Sequence, residues 1–360
     1  IPLIERVKHR QMKILYGVQG TGNGHISRAR MMAKHFADRN VEVDYLFSGR
    51  PAEQYFDMDC FGRYEIRHGL SFTTVDGRIN TLQTLRDARP LQFIKDVKQL
   101  DLTPYDLVLT DFEPVTAWAG RLKAKPVVGV GHQYAFGHPG VPEDGVDLRN
   151  RLVMKLFAPV RYGLGLHWHH FDGPIVPPII NPEESRLPSA GHTVVYLPFE
   201  DQSRVTGLLR QFPGQRFIQY APTLSDQQQG NVMLRKTSLH GFKQDLRSAD
   251  GVICNAGFEL ISECLHIGLP VLAKPVAGQS EQLGNAATLR QLELASIMTH
   301  LDSEAVGNWL EQRRAPAPQN YPDVAAAICD WLLKGDWQNR DALVASLWQQ
   351  RDASARLNCA

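Results

Sequence analysis

Short apolar runs recur along the chain. Each is closed by small or polar turn residues and followed by a stretch whose apolar positions fall at helical spacing. Ile14-Leu15-Tyr16-Gly17-Val18 is the first run. It enters the turn Gln19-Gly20-Thr21-Gly22-Asn23-Gly24-His25, and the spacing then predicts a helix from Ile26 to about Asp38 and a strand from Val41 to Phe47. Further strands are expected at Tyr105–Thr110 and Pro126–Val130, with a weaker one at His167–Phe171, and an amphipathic helix at Asn150–Val160. The proline-dense stretch Gly173–Pro182 interrupts the pattern, which then resumes with strands at Thr193–Leu197, Phe217–Tyr220, Val232–Leu234, Val252–Cys254 and Val271–Ala273. Wholly apolar strands alternating with helices predict parallel sheets covered on both faces, an α/β fold.

The break divides the chain into two such series. The expectation is a Rossmann-like domain at 12–172, a linker at 173–190, a second Rossmann-like domain at 191–335 and a helical segment at 336–360, with a cleft between the domains. Residues 1–11 carry no methionine and differ from the rest of the chain, whereas Met12-Lys13-Ile14-Leu15-Tyr16 reads as a native start. The first eleven are therefore read as a leader or an artificial extension and left out of the fold argument. A length of 360 residues suits two domains, and 43% hydrophobic residues can fill both cores. The net charge of +1 gives no reason to expect a nucleic-acid partner. The apolar runs are strand-length and too short to span a bilayer. The five cysteines are odd in number and scattered, which points to a reducing cytoplasm and against a disulfide framework.

Two turns carry candidate chemistry. In the second half, the strand Gly251-Val252-Ile253-Cys254 runs into Asn255-Ala256-Gly257-Phe258-Glu259 and a helix bearing Glu263; Glu281-Gln282 opens a later loop. Small residues at the start of a helix let backbone N–H groups approach an anion, so Ala256 to Glu259 are expected to hold a diphosphate, with Asn255 adding a side-chain donor. A carboxylate such as Glu263 can accept hydrogen bonds from both ribose hydroxyls. The set reads as a nucleotide-sugar site. In the first half, Gly20-Thr21-Gly22-Asn23-Gly24-His25 differs from the dinucleotide fingerprint, because its third glycine comes one residue early. His25 at the loop–helix junction is a candidate general base, and Asp111, at the end of the strand Leu107–Thr110, is the natural group to orient it, with Glu113 as rival. His167-Trp168-His169-His170 invites a metal reading, but no cysteine or spaced carboxylate completes a ligand set, so a structural histidine cluster is preferred.

These motifs together resemble GT-B glycosyltransferases, in particular the family 28-like group of the lipid II N-acetylglucosaminyltransferase and the UDP-glycosyltransferases. The resemblance is carried by Ala249-Asp250, Cys254, Gly257, Ser262-Glu263, Gly268-Leu269-Pro270, Gln282 and Asn285-Ala286. Two positions depart from the UDP-glycosyltransferases: Glu281 precedes Gln282 where they carry aspartate, and Asn255 aligns with their phosphate-binding histidine. The resemblance implies a UDP-sugar as substrate, no cofactor, no metal and an inverting displacement. It also implies donor contacts at Gly22, Asn23 and Gly24, base recognition near Leu239 and Phe242, ribose binding by Glu263, and donor-sugar contacts by Glu281 and Gln282; Asn285 is expected to secure its helix instead. The acceptor stays open between a lipid-linked molecule and a glycan. Arg149, Arg151, Lys155 and Arg161 flank Leu152, Val153, Met154, Leu156 and Phe157, which suggests peripheral contact with the inner face of the membrane. The rivals are a UDP-N-acetylglucosamine 2-epimerase and a non-catalytic nucleotide-sugar-binding protein. The epimerases' Arg-Pro-Glu element is replaced here by Gln279-Ser280-Glu281-Gln282, and the presence of both His25 and Glu263 weighs against the second.

Overall fold

The computed structural model describes residues 12–71, 74–75, 78–79, 89–142 and 148–357. The segment 1–11, read as a leader, lies outside them.

Two seven-stranded sheets form the frame. In the first half the chain runs through β1 (Lys13–Gln19), α1 (Asn23–Asp38), β2 (Glu42–Ser48), β3 (Tyr64–Arg67), a small hairpin of β4 (Thr74–Val75) and β5 (Arg78–Ile79), α2 (Pro90–Gln99), β6 (Leu107–Asp111), α3 (Pro114–Leu122), β7 (Val127–Gly131), α4 (Leu148–Phe157), β8 (Tyr162–Leu166) and β9 (Ile175–Val176). The strands order as β3-β2-β1-β6-β7-β8-β9, all pairs parallel. The second half has β10 (His192–Tyr196), α5 (Gln202–Leu209), β11 (Arg216–Ala221), β12 (Gln227–Gln229), β13 (Val232–Lys236), α6 (Leu239–Arg247), β14 (Gly251–Asn255), α7 (Phe258–His266), β15 (Val271–Lys274), α8 (Ser280–Gln291), β16 (Ser296–Ile297) and α9 (Ser303–Gln312). Its order is β12-β13-β11-β10-β14-β15-β16, parallel except for β12 against β13. In both sheets the order reverses beside the first strand, at β1/β6 and at β10/β14. Loops leaving the carboxyl ends of those strands diverge there and open a crevice.

The central strands are buried along almost their whole length, as their unbroken apolar runs require. The strand expected at His167–Phe171 is displaced: the sheet uses Tyr162–Leu166 instead. Gly163 and Gly165 hid it, since glycine weakens a strand reading. Gly165 is there because a Cβ would sit 2.8 Å from the Ala135 Cα, in the 3₁₀ turn His132–Ala135 that packs on the strand. The proline-dense stretch is also not wholly a connection, because Ile175–Val176 completes the first sheet.

The last two helices return to the first half. α10 (Val324–Lys334) lies along α1, with Arg39 Nε donating to Asp330 Oδ1 at 2.7 Å, and α11 (Asp341–Leu357) packs on β9, with Trp348 Nε1 donating to the Ile175 carbonyl at 2.9 Å. The two halves are thus bridged behind the crevice by the end of the chain.

Candidate active site

On the first half, the crevice is built by the loops after β1 and β6. The glycine loop ends at Gly22, and α1 begins at Asn23, which puts His25 in its first turn. His25 Nδ1 lies 2.8 Å from Asp111 Oδ1, the last residue of β6. Nδ1 also lies 2.9 Å from Arg28 Nη2, which only donates; in the tautomer that gives the Nδ1 proton to the carboxylate, which only accepts, Nε2 is left as the basic nitrogen. One turn along α1, Arg28 grips the same carboxylate with a fork: Nε donates to Oδ2 at 2.9 Å and Nη2 to Oδ1 at 2.8 Å. The next residue after Asp111, Phe112, adopts φ +54°, a left-handed turn uncommon for a side chain of this size. That turn sends Glu113 into the start of α3. Its Oε1 accepts from Val115 N and Ser48 Oγ, and its Oε2 from Thr116 N and Oγ1, at 2.6–2.8 Å. Glu113, the rival for orienting His25, is therefore a helix cap with both oxygens engaged, and Asp111 is the carboxylate that meets the imidazole.

Across the crevice, β14 ends at Asn255 and α7 begins at Phe258 with no side-chain cap. Ala256 and Gly257 spend their N–H groups internally, on the Lys274 and Asn255 carbonyls at 3.0 and 2.8 Å. The donors a ligand can reach are thus the first-turn N–H groups of Phe258, Glu259 and Leu260. Asn255 is turned from its expected role: Nδ2 donates to the Lys274 carbonyl at 3.1 Å, and its buried Oδ1 has no partner. It offers an acceptor here, not a donor. Glu263, further along α7, pairs with Lys243 of α6 at 2.6 Å. Phe242 packs edge-on against Tyr196 and Tyr220, and Leu239 opens α6. Glu281 accepts from Gln133 Nε2 of the first half at 2.9 Å, while Gln282 is buried with Oε1 bound to the Val276 N–H at 3.0 Å. Asn285 holds the glycine loop from beneath, with Nδ2 to the Ala256 carbonyl at 3.0 Å and Oδ1 2.6 Å from His132 Nε2.

The two sides meet. Arg28 Nη1 donates to Glu259 of α7, and Gly24 is glycine because a Cβ there would lie 2.6 Å from the Glu259 Cγ. His132 stacks flat on Phe258, ring centres 3.9 Å apart. Arg28, His132 and the buried pair Lys274–Glu200 (2.7 Å), which lies at the carboxyl ends of β15 and β10, were missed by sequence reasoning. Only Arg28 had a readable signal, a charged residue one turn from His25.

Charge in the site follows from these contacts. Burial pushes the Asp111 carboxyl up, but the Arg28 and His25 contacts overcome it and hold it below its ordinary value. Burial acts against Arg28 too, yet Asp111 and Glu259 raise it. Glu259 has only a share of that cation, so burial prevails and pushes it up to about 8. Its folded value thus exceeds its ordinary 4.5. Between those pH values the folded chain keeps a proton the unfolded chain has lost, so Glu259 costs stability progressively as pH rises from about 4.5 to 8. Glu259→Gln removes that slope: in ligand-free protein its melting temperature should gain on the wild type steadily from pH 5 to 8.5. Parallel melting curves over that range would sink the assignment.

Among the described residues, no group of three His, Cys, Asp or Glu is arranged to hold a metal ion. In the His-Trp-His-His turn, the Nδ1 atoms of His167, His169 and His170 each accept a backbone N–H, from Trp168, Phe171 and Asp172 at 2.9–3.0 Å. On α4, Leu152, Val153 and Leu156 are exposed, as are Leu91 and Ile94 on α2 and Leu122 on α3; the side chains of Arg149 and Arg151 lie outside the described residues. No described helix is long and apolar enough to cross a membrane.

The family model described as Glycosyl transferase family 1 matches residues 12–313. An uncharacterized glycosyltransferase of Methanosarcina acetivorans is 29% identical over 127 residues, 34% of this chain and 32% of that protein, so the match spans about a third of that relative's length. Among solved structures, the chain is similar to LpCGTa in complex with UDP (13% identity, TM-score 0.60, covering 98% and 100% of the two chains). It is also similar to the glycosyltransferase of kitacinnamycin (13%, 0.56, 95% and 99%) and to SnogD from Streptomyces nogalater (13%, 0.52, 95% and 100%). At these identities the structures bear on the fold alone.

Proposed function

The chain belongs to glycosyl transferase family 1 and has the GT-B fold, and from that premise we propose that it moves a sugar from a UDP-sugar to an acceptor hydroxyl with inversion. The observation that carries the proposal is the meeting of the His25–Asp111 pair with the uncapped start of α7 across the crevice. His25 Nε2 takes the acceptor proton as the hydroxyl oxygen attacks the anomeric carbon. Asp111 fixes the tautomer and stabilises the imidazolium that forms. The C–O bond to the diphosphate breaks, and charge growing on that leaving group is met by the N–H groups and dipole of α7. Glu263, held by Lys243, accepts from the ribose hydroxyls. No step in this scheme requires a metal or a cofactor.

Calorimetry with UDP tests the reading. Glu263→Ala should weaken binding by about 1.5–3 kcal/mol, the loss typical of a hydrogen bond to a charged group. Unchanged affinity in a folded variant removes Glu263 from the ribose role, and a wild-type protein that does not bind UDP or a UDP-sugar removes the proposal. A cytoplasmic protein touching the inner membrane face through α4 is part of the same reading. The exposed leucines of α3 and α4, tied by the Trp118 Nε1 to Leu156 carbonyl bond of 3.0 Å, support it. Vesicle flotation with anionic lipid checks it.

A further inference from the structure

We propose that Arg50, with Arg30 and Asn23, binds an anionic group of the acceptor, so that the acceptor is a phosphorylated or carboxylated molecule. The inference rests on the two-substrate reading above and adds the acceptor's charge. Arg50 follows β2 at its carboxyl end, one strand from the crevice's centre. Its Nη1 donates to Asn23 Oδ1 at 2.9 Å, and its guanidinium lies over the Tyr55 ring, 4.4 Å from the centre. Nε and Nη2 are buried; Tyr55 is the neutral side chain beside them, and no carboxylate among the described residues pairs with them. Asn23 in turn lies beside Tyr196 of the second half and acts on its hydroxyl, so Arg50 lines the crevice and not the outer surface. Arg30, one helical turn and a half beyond His25, adds charge to the same corner; it donates to the Phe56 and Asp57 carbonyls, at 2.7 and 3.3 Å, and lies beside the Cys60 thiol.

Among the described residues neither arginine forms a salt bridge, in contrast to Arg28. Asp57 acts on Arg30 only through space. Glu113, near Tyr55, is consumed as a cap and held towards its neutral form, chiefly by burial. Burial pushes both guanidinium groups below their ordinary value. A partly desolvated cation without a counter-charge is costly, and its planar fork matches a phosphate or carboxylate. The start of α1 adds to the field: Gly22 supplies no side-chain cap, and the first turn has no acidic residue. The start of α7 already serves the donor's diphosphate. A second anion pole on the opposite wall, two residues from His25, fits an acceptor held by its charge with its hydroxyl at the imidazole.

The test uses the full chain, calorimetry with UDP, and phosphorus NMR of inorganic phosphate added to UDP-saturated protein. In Arg50→Gln, UDP affinity should stay within about twofold of wild type, while phosphate binding falls at least about tenfold, the loss expected of a hydrogen-bonded charge pair. Arg50→Lys should fall between, since it keeps the charge and loses the fork. Three results overturn the proposal: no phosphate binding to UDP-saturated wild type, equal binding to Arg50→Gln, or a tenfold loss of UDP affinity in Arg50→Gln, which would move Arg50 to the donor. Should wild type fail to bind UDP, the glycosyl-transfer reading falls by itself. The phosphate arm without UDP then still decides whether Arg50 is an anion site. Melting temperatures check folding, and Arg50→Lys, which keeps the charge, serves if Arg50→Gln does not fold.

Discussion

In His25→Ala, turnover should fall by about 10²–10⁴-fold, the range typical of a positioned general base. Nucleotide affinity should hardly change, because the groups assigned to the base, the ribose and the diphosphate sit on α6 and α7. The imidazole is aligned by a hydrogen bond of 2.8 Å to a carboxylate with no exposure, so the loss is of a proton acceptor already in place. Asp111→Asn should show a smaller loss of the same kind, since the amide neither holds the tautomer nor balances the imidazolium. A loop-stabilising histidine predicts the reverse: a lower melting temperature with turnover per folded molecule preserved. Wild-type turnover in a folded His25→Ala protein would end the base assignment.

Arg28→Met should have the largest effect on stability, a loss of about 3–5 kcal/mol near neutral pH, as expected when one partner of a buried ion pair is removed. Arg28 is 2% exposed, neutralises the fully buried Asp111 and reaches Glu259 on the other half, so its removal leaves two largely buried carboxyl groups without a counter-charge. The pH dependence separates this from simple loss of packing. In the wild type the Asp111 carboxyl is depressed below its ordinary value, so its contribution is present above about pH 4 and is lost as pH falls through the folded value. Without Arg28 the folded carboxyl takes up a proton more readily than the unfolded one, so its contribution is present in acid and lost as pH rises. The deficit of Arg28→Met should therefore be small near pH 4.5 and grow towards pH 8. Denaturant unfolding across that range measures it. A deficit under about 1 kcal/mol, or one that does not change with pH, would show that Arg28 is not the counter-charge of the dyad.

The alternation of apolar strands with helical spacing was enough for the fold, because wholly buried parallel strands leave unbroken apolar runs that need no partner to be recognised. It failed at Tyr162–Leu166, where glycines chosen for a neighbour's backbone masked the strand, and at Ile175–Val176, where prolines did. The site was legible where chemistry sits next to a strand end: Gly22 to His25, Asp111, and Asn255 to Glu263 all follow local strand–turn–helix signals. The choice between Asp111 and Glu113 was not. Both stand at the same strand end, and the left-handed turn at Phe112 sends one to His25 and the other to cap α3.

The sequence by itself determined the two α/β halves, their glycine loops and the family they resemble, because each of these is written in contiguous residues. Only the tertiary structure decided which charges meet. Arg28 finds Asp111 83 residues away and Glu259 231 residues away, His132 reaches Asn285 across 153, and Arg50 is left without a carboxylate among the described residues. Such pairings have no local signature, since they depend on where two separate sheets bring the carboxyl ends of their strands together, and burial there sets the electrostatics as strongly as residue type does.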